Sequence, residues 1–338
     1  MRTAWRFGAA TIAAALLAAL AAALAAGGTG AKREARPPAR LAGCDVFPPY
    51  RGAPRAPEVG SQLAWNQDVS RAPKDPRSDR YLARIASLGG NQAIHPDFGG
   101  GGRYGIPYTV VGAHQRRYPV HFNAYGNESD PGPYPIPPTA PVENGSDRHV
   151  IAIQRGRCRL YELFAARFDG ARRRWVAGSG AIFNLNRAQP LRPNGWTSAD
   201  AAGLPILPGL VRFGEVERGH VRHAIRVTFA ETREGYIHPA THYASSRCER
   251  DLPPMGLRLR LRHGYFKRNL DRFPASSQSR PIFVALYRYG IVNADNGSNW
   301  YITGASSKRW NDGELDRLKT IPGRAFVVVD AGRIRTPC

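Results

Sequence analysis

The run RHVIAIQRGRCRLYELFAARFDGARRRWVAGSGAIFNL, residues 148–185, decides the fold class. Apolar and polar positions alternate through it with a period near two, which is the signature of strands. It reads as three of them: Arg148 to Gln154, Arg159 to Arg167, and Arg174 to Ala177 continued by Ala181 to Leu185. Gly170 and its neighbours close the hairpin between the second and third. Alternation puts Asp147, His149, Ile151 and Ile153 on one face, and Leu160, Glu162, Phe164 and Ala166 on another. A histidine and a carboxylate thus stand in core-facing rows. Polar groups there are costly unless something pairs or uses them.

The pattern continues outward. Val221 to Phe229 and Leu257 to Arg262 read as long alternating strands. In the first, His223, Ile225, Val227 and Phe229 face one way, and Arg222, Arg226 and Thr228 the other. In the second, three leucines face inward, while Arg258, Arg260 and Arg262 face outward as a basic ladder. Ile106 to Val111 and Val120 to Tyr125 read as neighbouring strands, Trp300 to Ile302 as a short strand after an Asn-Gly turn, and Ala325 to Val329 as a closing strand. Helical periods are short: Arg80 to Leu88, Ser279 to Tyr289 stopped by Gly290, and Asn311 to Thr320. Ser198 is a candidate N-cap for a turn or two within Trp196 to Leu210. The proline-dense Glu128 to Pro141 runs extended over a surface. The expectation is one mainly-β (α+β) domain over residues 61–338, with a β-sandwich or jelly-roll-like core and a few short helices.

The first 26 residues read as a signal peptide: Arg2 and Arg6, an uncharged run from Phe7 to Ala26, and a small-x-small exit at Ala23-Leu24-Ala25. The run is also long enough to serve as an uncleaved anchor. Leu41-Ala42-Gly43-Cys44 has the form of a lipoprotein box, but it follows several charged residues instead of closing the apolar run. Residues 27–60 are Pro, Ala and Arg-rich and read as a disordered tether. A secreted protein with no stable membrane association after cleavage is expected. Its four cysteines, Cys44, Cys158, Cys248 and Cys338, then suggest two disulfides. Of three connectivities, Cys44–Cys338 with Cys158–Cys248 is favoured, and no C-x-x-C metal or redox motif is present.

The formal net charge is +22, from 48 basic and 26 acidic residues. Only five of the basic residues are lysines, and the arginines accompany abundant Ala, Gly (36) and Pro (28), a habit of GC-rich coding. As a functional signal the charge would mean affinity for an extracellular polyanion, not nucleic acid in an exported protein.

Candidate chemistry gathers between Asp147 and Ser245. Glu162 is the acid/base candidate, with Asp200 a second carboxylate across a cleft. His149, His223, His242 and Tyr243 are placed to orient groups or move protons. Substrate-binding candidates are Arg148, Arg222, Arg258 and Arg260 for anionic groups, and Trp196 and Trp300 as stacking platforms. His238 and His242 have the i, i+4 spacing of a shared metal on a helix. Pro239 restricts that to a first turn and no glutamate follows His238, so no metal site and no cofactor is assigned.

Several strings together resemble a family of secreted microbial proteins without an established activity: WNQD at 65–68, ESDPGPYPIP at 128–137, DRH at 147–149, YEL at 161–163, GWTSADAAGLPILPGL at 195–210 and ADNGSNW at 294–300. The resemblance spans roughly residues 61–330 and implies one exported domain; it assigns no catalytic residue. The function expected is a secreted, monomeric, polysaccharide-active enzyme, a glycoside hydrolase or lyase. The alternatives are a non-catalytic module for extracellular polymers and a metal-dependent hydrolase at His238 and His242.

Overall fold

Four strands form the sheet that carries the opening run of sequence. They are β4 (Tyr108–Val111), β6 (Val150–Gln154), β7 (Arg159–Phe164) and β10 (Ser179–Asn184), in the order β10-β7-β6-β4. The β6-β7-β10 part is antiparallel, and β4 joins β6 in parallel. The structure is a computed structural model that describes residues 40–45, 65–185, 192–329 and 332–338. The expected signal peptide and most of the stretch read as a tether lie outside the described residues. Among those described, no helix is long and apolar enough to cross a membrane.

The second strand of the opening run is broken in two. At Ala165 the backbone turns left-handed (φ 50°), which ends β7 and starts β8 (Arg167–Asp169) in another sheet. Opposite it, Gly178 donates to Phe164 O at 2.8 Å. A Cβ on Gly178 would lie 2.9 Å from the Phe164 ring, so only glycine fits this corner. One long ribbon thereby feeds two sheets. The smaller one has the order β5-β9-β8, with β5 (Val120–Phe122) parallel to β9 (Arg174–Ala177). So β5 is not the neighbour of β4 that alternation alone suggested.

The third sheet is mixed and six-stranded, in the order β15-β12-β13-β11-β14-β3. Its members are β3 (His95–Pro96), β11 (Ile225–Phe229), β12 (Arg258–Leu261), β13 (Ile291–Asn296), β14 (Tyr301–Ile302) and β15 (Phe326–Val328). β13, which is not among the strands expected from alternation, lies between β12 and β11. Short helices α1 (Ser78–Ser87), α2 (Phe213–Glu217), α3 (His263–Asn269), α4 (Ser279–Arg288) and α5 (Asp312–Asp316) complete it. α1 buries Tyr81 and Ile85, and α4 ends where Gly290 takes φ 73°. Trp196 to Leu210 forms no α-helix; Ser198 Oγ instead accepts from Asp200 N at 2.9 Å.

The four-stranded sheet is covered on both faces. Val150, Ala152, Tyr161 and Leu163 join Tyr134, Ile136 and Trp175 in a small core with the three-stranded sheet. The proline-dense loop therefore buries its Tyr134 and Ile136 instead of only lying over a surface. Ile151, Ile153, Leu160, Ala181 and Phe183 face the main core shared with the six-stranded sheet. The architecture is mainly β with a sandwich-like core, as read from the sequence.

Both disulfides differ from the favoured pairing. Cys44 bonds Cys158, and Cys248 bonds Cys338. The reason lies at the N-terminal side. Arg40–Leu41 (β1) and Cys44–Asp45 (β2) pair antiparallel within the stretch read as tether, and Cys44 is buried against the β6-β7 turn that carries Cys158. A sulfur held in a disulfide accepts no lipid, so the lipoprotein-box match is incidental.

Candidate active site

Glu162 and His149, placed in core rows by strand phasing, converge on one loop, residues 196–207, which crosses between the four- and six-stranded sheets. Glu162 projects from β7 into the main core and is fully buried. Its carboxylate accepts from Ile206 N (2.9 and 3.1 Å) and Leu207 N (2.9 Å). Burial raises its pKa to about 7, against the pull of those two amides. His149, just ahead of β6, has Nε2 3.0 Å from Ala199 O and Nδ1 2.6 Å from Glu143 Oε2. Both ring nitrogens meet acceptors, which only a doubly protonated imidazole satisfies. Burial lowers its pKa, but Glu143 outweighs burial and the net shift is upward. Glu143 is held below its ordinary value in return, since the His149 bonds outweigh its burial.

Further side chains pin the same loop. His242 Nδ1 lies 2.7 Å from Ala201 O, Ser179 Oγ donates to Ser198 O (2.6 Å), and Glu128 accepts from Thr197 N (3.0 Å). Arg192 Nε donates to Thr197 O (2.7 Å), and Thr241 Oγ1 to Trp196 O (2.9 Å). Few of these bonds are legible from sequence, because the loop offers backbone groups and not side chains as partners.

What the loop delivers is Asp200, fully buried and gripped by Arg226 of β11. Arg226 Nε and Nη2 each donate to one Asp200 oxygen at 2.9 Å. Nη2 also donates to Asp295 Oδ2 at 2.6 Å, and Nη1 to Thr303 Oγ1 at 3.0 Å. Asp295 reaches this point through a register slip. Val227 pairs with Asn293 but Thr228 pairs with Asp295, so Ala294 is an extra residue in β13. Strict alternation would turn Asp295 to the Val227 and Phe229 side; the slip turns it to the Arg226 side. Ala294 O accepts from Ala202 N at 3.0 Å, which docks the loop onto the slip. Asp295 keeps 20% side-chain exposure. Its surroundings still raise its pKa to about 7; enclosure is the largest cause, Arg226 opposes it, and Asp200 adds to it. Asp97, just past β3, is raised by partial enclosure as well, and Glu143 contributes. Asp147 adds a smaller upward push on Asp295.

No family model, curated protein or solved structure matches this chain.

The remaining candidates fall elsewhere. His223 is buried in a second network, with Nε2 3.2 Å from Glu215 and Nδ1 2.7 Å from Ala224 O. Arg212 pairs with the same Glu215 at 2.7 Å and donates to Leu207 O at 2.5 Å. Arg212 and His223 pull Glu215 to about 2 against its burial. His149 and His223 thus do not meet at one rim. Arg148 is exposed, with its backbone at φ 47°, and Arg222 is half-buried. The basic ladder is corrected at its first rung: Arg258 is buried and donates to Tyr289 O and Gln67 O, because helices cover that face of β12 as well. Arg260 is half-buried on Ala72 O. Trp300 is 2% exposed and packs on Phe229 and Phe326, so it offers no platform to a sugar. Trp196 is half-buried with Arg192 over its ring. His238 and His242 lie on a non-helical loop and bond to Asn194 and Ala201 O, so the i, i+4 metal geometry is not formed.

Sequence reasoning missed Arg226, Asp295, Glu143 and Asp97. Arg226 carried a signal in the alternation of β11, on the face opposite His223 and Ile225. Asp295 was assigned to the turn before Trp300.

Proposed function

We propose that this protein is an exported glycoside hydrolase for an uncharged polysaccharide, with Asp295 as general acid and Glu143 as the ionised partner. The observation that carries the reading is the divergence of two carboxyls around one guanidinium. Asp295 is raised to about 7 and partly exposed, whereas Glu143 is held below its ordinary value; Arg226 acts on both. Environments that push two carboxyls apart in this way assign acid and base. Asp295 would protonate the departing glycosidic oxygen, and Arg226 would stabilise the carboxylate left behind. Glu143, fixed by His149, would attack the anomeric carbon or activate a water.

Glu162 has a supporting part here, since both its oxygens hold the loop that carries Asp200. Arg226 and His149, the cations described at this site, are already engaged, by Asp200 and Asp295 and by Glu143, which supports an uncharged substrate over the uronate that a lyase needs. Two disulfides support export to an oxidising compartment.

A panel of neutral and acidic polysaccharides assayed for reducing ends tests the reading. Asp295→Asn and Glu143→Gln are each expected to lower turnover about 10²–10⁴-fold without unfolding the protein. No turnover by the wild-type protein, or full turnover by Asp295→Asn, sinks it.

A further inference from the structure

A row of aromatic rings begins beside Asp200 and Asp295. His242 and Tyr243 lie 5.7 Å apart with planes 7° from parallel. Tyr243 and Tyr236 follow at 6.4 Å and 18°, then Tyr236 and His238 at 6.0 Å and 26°. Three of the four rings keep part of their surface open, and Tyr236, between Tyr243 and His238, is buried. Two bonds tie the row to the site. His242 reaches Ala201 O, next to Asp200, and Ala244 O accepts from Asn296 Nδ2 at 2.6 Å, next to Asp295.

We propose that this row is a glycan-binding lane that lays successive sugar rings of an uncharged polysaccharide toward Asp295. Rows of near-parallel aromatic faces suit the apolar faces of neutral sugars. The polar edges of these rings are already engaged: His238 Nε2 with Asn194 (3.1 Å), Tyr243 with Glu234, and His242 with Ala201 O. Their planes are fixed before any ligand arrives, which lowers the entropic cost of binding. The backbone beneath is equally fixed. Tyr236 exchanges hydrogen bonds with Arg335 (2.9 and 2.8 Å), Ile237 donates to Met255 O (2.8 Å), and the Cys248–Cys338 bond staples the C-terminal strand of chain to the same region. The inference rests on the hydrolase reading for its direction, but binding itself does not require turnover.

Affinity electrophoresis in gels containing soluble β-glucan, xylan or dextran tests it, with near-ultraviolet circular dichroism to confirm folding. Wild type and Asp295→Asn are expected to be retarded by at least one of these neutral polymers. Tyr243→Ala and His242→Ala are expected to weaken that retardation about tenfold, and Tyr243→Trp to keep it. Retardation of Tyr243→Ala equal to wild type overturns the lane, as does the absence of retardation in every neutral gel. If Asp295→Asn keeps full turnover while Tyr243→Ala loses retardation, the lane stands and the hydrolase assignment falls. If Asp295→Asn loses turnover while Tyr243→Ala binds normally, the reverse holds.

Discussion

Replacing Arg226 by methionine is expected to be the most damaging single change in the site, and its size follows from what remains. The guanidinium is enclosed, holds Asp200 through two bonds, and reaches Asp295 and Thr303 with two more. Asp200 has no side-chain exposure, so without Arg226 its charge has neither solvent nor partner. Removing one member of such a buried pair costs about 3–5 kcal/mol. The lost Thr303 bond adds about 1 kcal/mol. Asp295 adds less, because solvent reaches it. A loss of about 4–5 kcal/mol corresponds to a fall in Tm on the order of 10 °C for a domain of this size. The assay is thermal and urea unfolding with disulfides intact. The double variant Arg226→Met with Asp200→Asn removes the stranded charge and is expected to recover at least half of the loss. A loss under about 1 kcal/mol, or a double variant no better than the single one, refutes the argument that Arg226 neutralises buried Asp200.

Glu162 predicts a pH dependence with a definite sign. Its folded pKa, about 7, lies above the unfolded value, so the stability it contributes is complete below the unfolded pKa and lost as pH rises through 7. Glu162→Gln should flatten the fall in Tm between about pH 5 and 8; an unchanged slope refutes the assignment. Peptide mapping without reduction should recover Cys44 with Cys158 and Cys248 with Cys338, and Cys338→Ser should lower stability by about 2–4 kcal/mol. Trp300→Ala should cost about 3–5 kcal/mol through core loss, seen as a lower urea midpoint, and any correctly folded fraction should still bind polymer.

Much of the fold was legible because strands buried on one face write a clean alternation. That is how His149 and Glu162 could be placed in core rows from sequence. Their partners were hidden. Glu162 binds amides 44 and 45 positions away, and His149 a carbonyl 50 positions away; backbone groups leave no trace in residue identity. The errors share a cause. Alternation was taken to mean one wet face, but β11 and β12 lie inside a sheet covered on both sides. Arg226, on the polar row of β11, and Arg258, assigned to solvent, are therefore buried and bonded. Trp300 looked like an exposed platform because it follows a polar turn, yet it packs between Phe229 and Phe326.

The extra residue in β13 changes what kind of variation this protein can tolerate. Ala294 contributes a backbone position and a carbonyl, not a functional side chain. A change of small residue there leaves chain length intact and should pass unnoticed. Inserting one residue between Val227 and Thr228, opposite Ala294, would restore even pairing and carry Asp295 to the apolar side with Val227, with every site residue still present in the sequence. In this stretch the spacing of residues carries the information, and a comparison that scores identity alone would count such a chain as intact.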